Sequence, residues 1–438
     1  MVSFEEYMGD VVETTLEDSR SQSNLSNLLY KMKNEKSLQI WHLSADKNEY
    51  DRFEYLLSKH GDTNGIVSSD FNDLLLEKGK ESLLGEVTAT IIHDPCYIRK
   101  EHSEKLENLD RVRGLDGKII NGYRTFNSVL LGQDNINLLG CRPYSQKEES
   151  KLGEGHLTNK EVNFDQIRQI SYGLKEDIPS RTIIHIMDRE ADDIEYFKLI
   201  DKELDDKFIF RLKSNRNSDV APSTRGEKRD KEGKIIKESL RFVKIHKKVL
   251  SNRFDRIFDR FMYKGKCYRE ARTKVSYKRM WVGDDYYWIV KIELKTRTGR
   301  AIFAKPMVLI TNIPIITDDI AVFIYQKYLK RSKIEGVFKF LKEELGWEDF
   351  RVRDFIAIKN IILLGFFVGA YFCEREPELI GNPLVILICD LARSKGKVTK
   401  HFFMLGLKKL AQHQMTIQFF EENKLSEEDI GESLELLK

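Results

Sequence analysis

Cysteine is scarce in this chain and never spaced in pairs. Cys96, Cys141, Cys267, Cys373 and Cys389 are the five cysteines in 438 residues, and no Cys-x-x-Cys occurs. A zinc ribbon and a disulfide scaffold are thereby excluded, and a reducing, cytoplasmic compartment is expected. Long apolar runs are lacking as well. The longest, residues 361–373, spans 13 residues, short of the ~20 a bilayer crossing needs, so a buried core helix is expected there and no membrane partner. The opening MVSFEEYMGD is acidic, which is not the pattern of a signal peptide. No internal repeat is apparent. Excess charge of one sign is nearly absent: 73 basic minus 70 acidic residues leaves +3, which excludes a uniformly basic DNA-coating protein.

What is present is a chain that is 41% hydrophobic and 33% charged, long enough for two or three domains at roughly 150 residues each. Its charge is distributed unevenly. Residues 1–90 hold nine Lys/Arg and 17 Asp/Glu, 9 − 17 = −8. Residues 207–280 hold 24 and eight, 24 − 8 = +16. Such a block focuses a field suited to a phosphate backbone. In the acidic N-terminal stretch any phosphate contact has to rest on local clusters such as Lys31, Lys33 and Lys36.

Hydrophobic periodicity organises the chain. Residues 1–85 read as helices and loops, and 86–143 as strands, with EVTATIIHD ending at Asp94-Pro95 and a bend at Asn121-Gly122. Residues 158–173 have helical period. RTIIHIM (181–187) is a short buried-type strand that runs directly into Asp188, and KFIFRLKS (207–214) is another. A polar loop occupies 215–235. The pattern to about 312 is mainly β, with Trp288, Val290, Ile292 and Leu294 alternating on one face, and MVLITNI (307–313) is a further strand. Thr317-Asp318-Asp319 caps one long helix over 320–346, and 355–438 are mostly helical. Strands, a strand–helix–strand unit, a basic β insert and then helices make an α/β architecture with an insertion.

Two strand ends present a carboxylate, Asp94 and Asp188, where sheet proteins place their sites. Two carboxylates brought together repel unless a cation or a proton lies between them. A third element lies at 328–342, YLKRSKIEGVFKFLK. On one continuous helix, at about 100° per residue, Tyr328, Arg331, Glu335 and Lys342 fall within about 60° of one another, with Lys339 on the same stripe. Ile334, Phe338, Leu341 and Leu345 form an apolar stripe beside it, suited to docking on a sheet.

Tyrosine, two residues, arginine, three, glutamate, six, lysine is the spacing found in bacterial DDE transposases of the insertion-sequence-four type, and this chain resembles them at every one of those positions. IIHIMDREADDIEYF is similar to the strand that carries that family's second aspartate, and TATIIHDPCYI to the first, with Pro95-Cys96 in place of the more usual threonine-rich continuation. The resemblance extends over roughly residues 35–375. The 147 residues between Asp188 and Glu335 hold the basic β segment where the family carries a β insertion.

The resemblance implies an RNase H-like mixed-sheet catalytic core, 86–214 and 307–372, interrupted by a basic β-rich insertion over 215–306. A helical N-terminal region, 1–85, would recognise DNA ends, and a helical C-terminal region, 373–438, would dimerise. It implies cut-and-paste transposition at terminal inverted repeats by a homodimer on double-stranded DNA, in a bacterial or archaeal cytoplasm. Asp94, Asp188 and Glu335 would be the catalytic acids and would hold two Mg²⁺ ions, with Mn²⁺ as the alternative. Tyr328, Arg331, Lys342, Arg189 and Lys339 would contact DNA. Trp288 or Trp281 would stack on a flipped base, or simply pack in the sheet. His93 and His185 are expected to be satisfied core histidines. Two other functions fit the same residues: a catalytically idle DNA-binding derivative, and a metal-dependent nuclease without strand transfer.

Overall fold

A computed structural model describes residues 4–59, 65–132, 135–150, 157–213, 216–220, 241–245, 252–263, 266–283, 285–303, 305–375, 383–394, 398 and 400–422. Most of the expected polar loop at 215–235, and the chain after 422, lie outside them. Two compact units are formed. One comprises Met1–Asp70, Gln133–Ile136 and Val337–Lys438; the other comprises Phe71–Gly132 and Asn137–Gly336.

The first unit is helical. Its helices are α1 (Phe4–Thr15), α2 (Ser19–Glu35), α3 (Ile40–Leu43) and α4 (Lys47–Ser58), and α5 (Ser68–Ser82) starts at its border with the second. Asp18 and Asp46 cap α2 and α4 by accepting from the N–H groups of Ser21 and Glu49. The late helices α11 (Phe355–Glu374), α12 (Pro383–Leu391) and α13 (Lys400–Glu422) complete it. By length and composition α11 could cross a membrane, but it is mostly buried within the protein. The apolar run extends to a 20-residue helix because Phe355–Asn360 joins it, capped by Asp354. Tyr7 and Phe4 pack on Phe367 and Tyr371, and the Asn360 amide donates to the Leu57 carbonyl at 2.8 Å. This helix is therefore the spine of a helical core.

The second unit is built on one large sheet. In chain order its strands are β1 (Thr88–Arg99), β2 (Asp110–Arg113), β3 (Ile119–Leu131), β4 (Ile136–Tyr144), β5 (Thr182–Met187) and β6 (Lys207–Arg211). A separate pair follows, β7 (Asn217–Val220) and β8 (Arg241–Lys244). Then come β9 (Asn252–Tyr263), β10 (Lys266–Val282), β11 (Asp285–Lys295) and β12 (Met307–Thr311). The large sheet runs β2-β3-β1-β5-β6-β12-β11-β10-β9, and β4 also pairs with β3. β1 is antiparallel to β3 and parallel to β5, and β5 is parallel to β6, so the sheet is mixed. The strands of the basic segment hydrogen-bond through β11 onto β12, so they extend this sheet.

Among the helices, α6 (Gln146–Glu149) is a single turn and α7 (Asn159–Lys175) crosses from β4 to β5. α7 opens with a reciprocal capping box between Thr158 and Glu161. After β5 come a 3₁₀ turn (Arg189–Ala191), α8 (Ile194–Lys198) and a π turn (Leu199–Glu203). Phe197, from this stretch, stacks on Phe208 at 5.3 Å and meets Tyr287 edge-on, tying β6 to β11. Leu76, Leu83, Leu139, Ile170 and Leu174 belong to a second cluster that closes over Ala89, Ile91 and Ile183.

Three sequence expectations change. β1 passes through Asp94-Pro95 to Arg99 instead of ending there. Its pairing with β5 stops at Ile92, so a residue without an N–H falls where that side of the strand no longer has a ladder partner. β3 runs straight through Asn121-Gly122, and the reversal lies at Gly114–Gly117, where Gly117 has φ +84°. Gly122 serves close approach instead: a Cβ there would stand 2.3 Å from the Ile98 carbonyl oxygen. The long helix at 320–346 is two helices, α9 (Asp318–Leu329), capped by Thr317 as expected, and α10 (Ser332–Glu344). Between them the N–H groups of Lys330 and Arg331 bond to the carbonyls three residues back. This tighter winding separates the two helices, while Tyr328, Arg331 and Glu335 still face one cluster.

Candidate functional site

The three acids come from three segments and meet around one side chain. Asp188 follows β5 directly and occupies the cap position of the 3₁₀ turn, yet its carboxylate makes no capping bond. It accepts instead from the Tyr328 hydroxyl at 3.1 Å. Asp94 lies on β1, the strand beside β5, and binds the Arg331 guanidinium at 3.1 Å. The other terminal nitrogen of Arg331 contacts Glu335, one turn along α10, and lies 4.0 Å from Asp188. Arg331 is thus the hub of a cluster whose members are 94 and 147 residues apart.

Electrostatics follow from burial. Asp94 is pushed up to about 7, first by loss of water and then by the charges of Asp188, Glu190 and Glu335, with Arg331 opposing. Glu190 is raised by burial and then by Asp188. The Tyr328 phenol is raised, chiefly by burial and next by Asp188, so it stays protonated and donates. Burial would loosen the proton on Arg331, but the charges of Asp94, Tyr328, Asp188 and Glu335 outweigh that and hold the guanidinium more firmly protonated than usual.

The remaining candidates divide. Arg189 is half exposed, 3.9 Å from Asp188. Lys339 is exposed, 3.5 Å from Glu343. Lys342 is held at 3.0 Å by Glu348, with both side chains mostly covered. Part of the apolar stripe of α10 packs on a helix and an indole. Leu341 and Leu345 face Gly369 of α11, and Phe338 stacks on Trp347 at 6.5 Å.

His93 and His185 are core residues. His93 Nδ1 meets Ser128 Oγ at 2.7 Å, and its Nε2 meets His185 Nδ1 at 2.9 Å. His185 Nε2 lies 3.2 Å from Asp206, which also pairs with Lys175. Burial, then His185, holds His93 well below the usual imidazole range, so it is neutral. This polar chain links β3, β1, β5 and α7 behind the acids. In the β insert Trp281 packs edge-on against Tyr286 at 4.5 Å, and Trp288 lies 6.1 Å from Tyr277.

Motif spacing does not single out Arg211, Arg113 or Arg124. Arg211 ends β6 and reaches within 3.9 Å of Asp188. Its signal was a polar residue closing the buried run KFIF, the same signal that marks Asp188. Arg113 and Arg124, on β2 and β3, act on Glu190 through their charge. Only strand pairing brings them there.

The chain matches no protein-family model and no curated protein.

Whether the residues present suit a metal ion can be judged from the cluster itself. Three carboxylates surround one guanidinium, and their mutual repulsion helps keep Asp94 protonated to about pH 7. An excess of hard oxygen donors of this kind suits Mg²⁺ or Mn²⁺. Among the described residues no three acidic, His or Cys side chains stand close enough to share one ion as placed. An ion held by these three acids would need the space that Arg331 occupies.

Proposed function

We propose that this protein is a DNA transposase of the DDE type, acting by metal-dependent strand cleavage and strand transfer at terminal inverted repeats. The observation that carries this reading is the gathering of Asp94, Asp188 and Glu335, remote in sequence, around Arg331. The strand arrangement supports an RNase H-like core. The two central parallel strands, β1 and β5, each lead to an acid, antiparallel strands flank them on one side, and a crossover helix, α7, precedes β5. Asp94, Asp188 and Glu335 would hold the divalent ions, which supply an activated water or 3′ hydroxyl and a stabilised leaving oxygen.

The protein's own groups position the strand. Tyr328 donates from a protonated hydroxyl fixed by Asp188. Arg331, where it is not engaged by the acids, would offer a planar fork to a phosphate. Arg211 and Arg189 border Asp188 and add charge at the same phosphate. No side chain serves as a covalent nucleophile, so hydrolysis and transesterification differ only in which hydroxyl attacks.

Purified protein, Mg²⁺ and a DNA carrying the repeats that flank the reading frame provide the test. Joined products support transposition. Cleavage alone makes the protein a nuclease, and a mobility shift without cleavage makes it a binder.

A further inference from the structure

The helical unit holds a pocket remote in character from the acidic cluster. Its volume is about 380 Å³, and Gln39, Trp41, Lys47, Tyr50, Asp51 and Arg351 are among the residues that line it, within the size range of small-ligand sites. Trp41 is 65% exposed and stands 5.6 Å from Tyr50 at 67°. An edge-on pair occupies at most one face of either ring, so an exposed indole in such a pair keeps a face open. Lys47 and Arg351 have no acidic partner among the described residues, and Arg353, close enough to act on the Tyr50 phenol, is exposed too.

The lysines that sequence alone would choose for this region are committed elsewhere. Lys31 binds Glu49 at 2.6 Å, Lys33 lies over the rings of Phe4 and Tyr30, and Lys36 donates to the Met404 carbonyl at 2.9 Å. The cations at the pocket come instead from residues 47 and 351.

We infer that this pocket binds one unpaired nucleotide, with the base stacked on Trp41 and the phosphate between Lys47 and Arg351. An open indole takes the face of a base, which a duplex hides and a single strand exposes. The side chains of Asp51 and Gln39 can read the base edge, a carboxylate accepting from an exocyclic amine and an amide both donating and accepting. The site does not require the transposase reading, since none of its residues belongs to the acidic cluster. The nucleotide could be part of a DNA strand or free, and the chemistry recognised is the same.

The test uses the full chain carrying Glu335→Gln, so that no strand is cut during the measurement. Anisotropy of a fluorescein-labelled single-stranded oligonucleotide is compared with that of its duplex, and dCMP and dAMP are titrated separately against tryptophan fluorescence. Trp41→Ala should weaken single-strand binding about tenfold, from the range for loss of one stacked base, and leave duplex binding unchanged. Trp41→Phe, which keeps a ring, should retain most of the affinity. Lys47→Ala with Arg351→Ala should reduce the single-strand salt slope by about 0.7, one neutralised phosphate's worth. Quenching by free dCMP or dAMP would assign the site to a free nucleotide, and quenching by the oligonucleotide alone would assign it to a strand. Single-strand affinity unaffected by Trp41→Ala, or equal loss on single strand and duplex, would overturn the inference. Such a failure leaves the cleavage assay untouched, so the two readings can fail separately.

Discussion

Replacing Arg331 by Gln tests the reasoning about the acidic cluster most directly. The guanidinium is mostly covered, as is Asp94 at 18% exposure, so its removal strands a buried carboxylate. Glu335 is largely exposed and contributes little. Breaking such a buried pair costs about 3 kcal/mol at pH 8. The cost depends on pH with a definite sign. Folded Asp94 titrates at about 7 against an ordinary 3.8, so the folded state binds the proton more tightly. Its contribution to stability is present in full below about pH 4 and is lost as pH rises through 7. At pH 5.5 Asp94 is already neutral, and removing the guanidinium forfeits about 1 kcal/mol, an ordinary hydrogen bond. For a unit of this size the melting temperature should fall by about 6–12 °C at pH 8 and about 2–4 °C at pH 5.5. Mg²⁺ at a hundred times its dissociation constant adds about 2.7 kcal/mol. It should stabilise the variant more than the parent, whose own cation must first be displaced. Thermal scans at both pH values, with and without Mg²⁺, provide the measurement. Equal losses at the two pH values, or equal rescue of parent and variant by Mg²⁺, would refute the account of Arg331 as the cation that balances these acids.

Glu335→Gln keeps shape and removes charge; it should abolish cleavage of a repeat-bearing DNA while mobility shifts show end binding nearly intact. Neutralising Arg272, Lys274, Lys278 and Lys295, on β10 and β11, should flatten the salt dependence of duplex binding by about 3.6 in log–log slope if all four touch phosphates. An unchanged slope would make that face merely solvated. Gly122→Ala places a methyl against the Ile98 carbonyl and should cost about 1–3 kcal/mol by overpacking, read from the melting temperature.

Much of the second unit was legible locally. The strand at 182–187 stood out as a short apolar run, and α7 as a helical period opened by a capping threonine, because both signals lie within a dozen residues. The cap at Thr317 was equally local. The course of the chain near residue 331 was not. Helical periodicity over 320–346 made a continuous helix the natural expectation, since the groups that pair with Arg331 beside the break, Asp94 and Asp188, lie 237 and 143 residues away in the chain. Motif spacing named the acids and the arginine, but not the ion pairs that the fold makes between them. Lys31, Lys33 and Lys36, the local cluster that the sequence offers for phosphate, are engaged within the fold, whereas Arg351 shares a pocket with Trp41, 310 residues before it. Residue type and short-range period decide which segments become strands and helices. Which charges end up facing one another depends on contacts across hundreds of residues, and only the tertiary structure decides that.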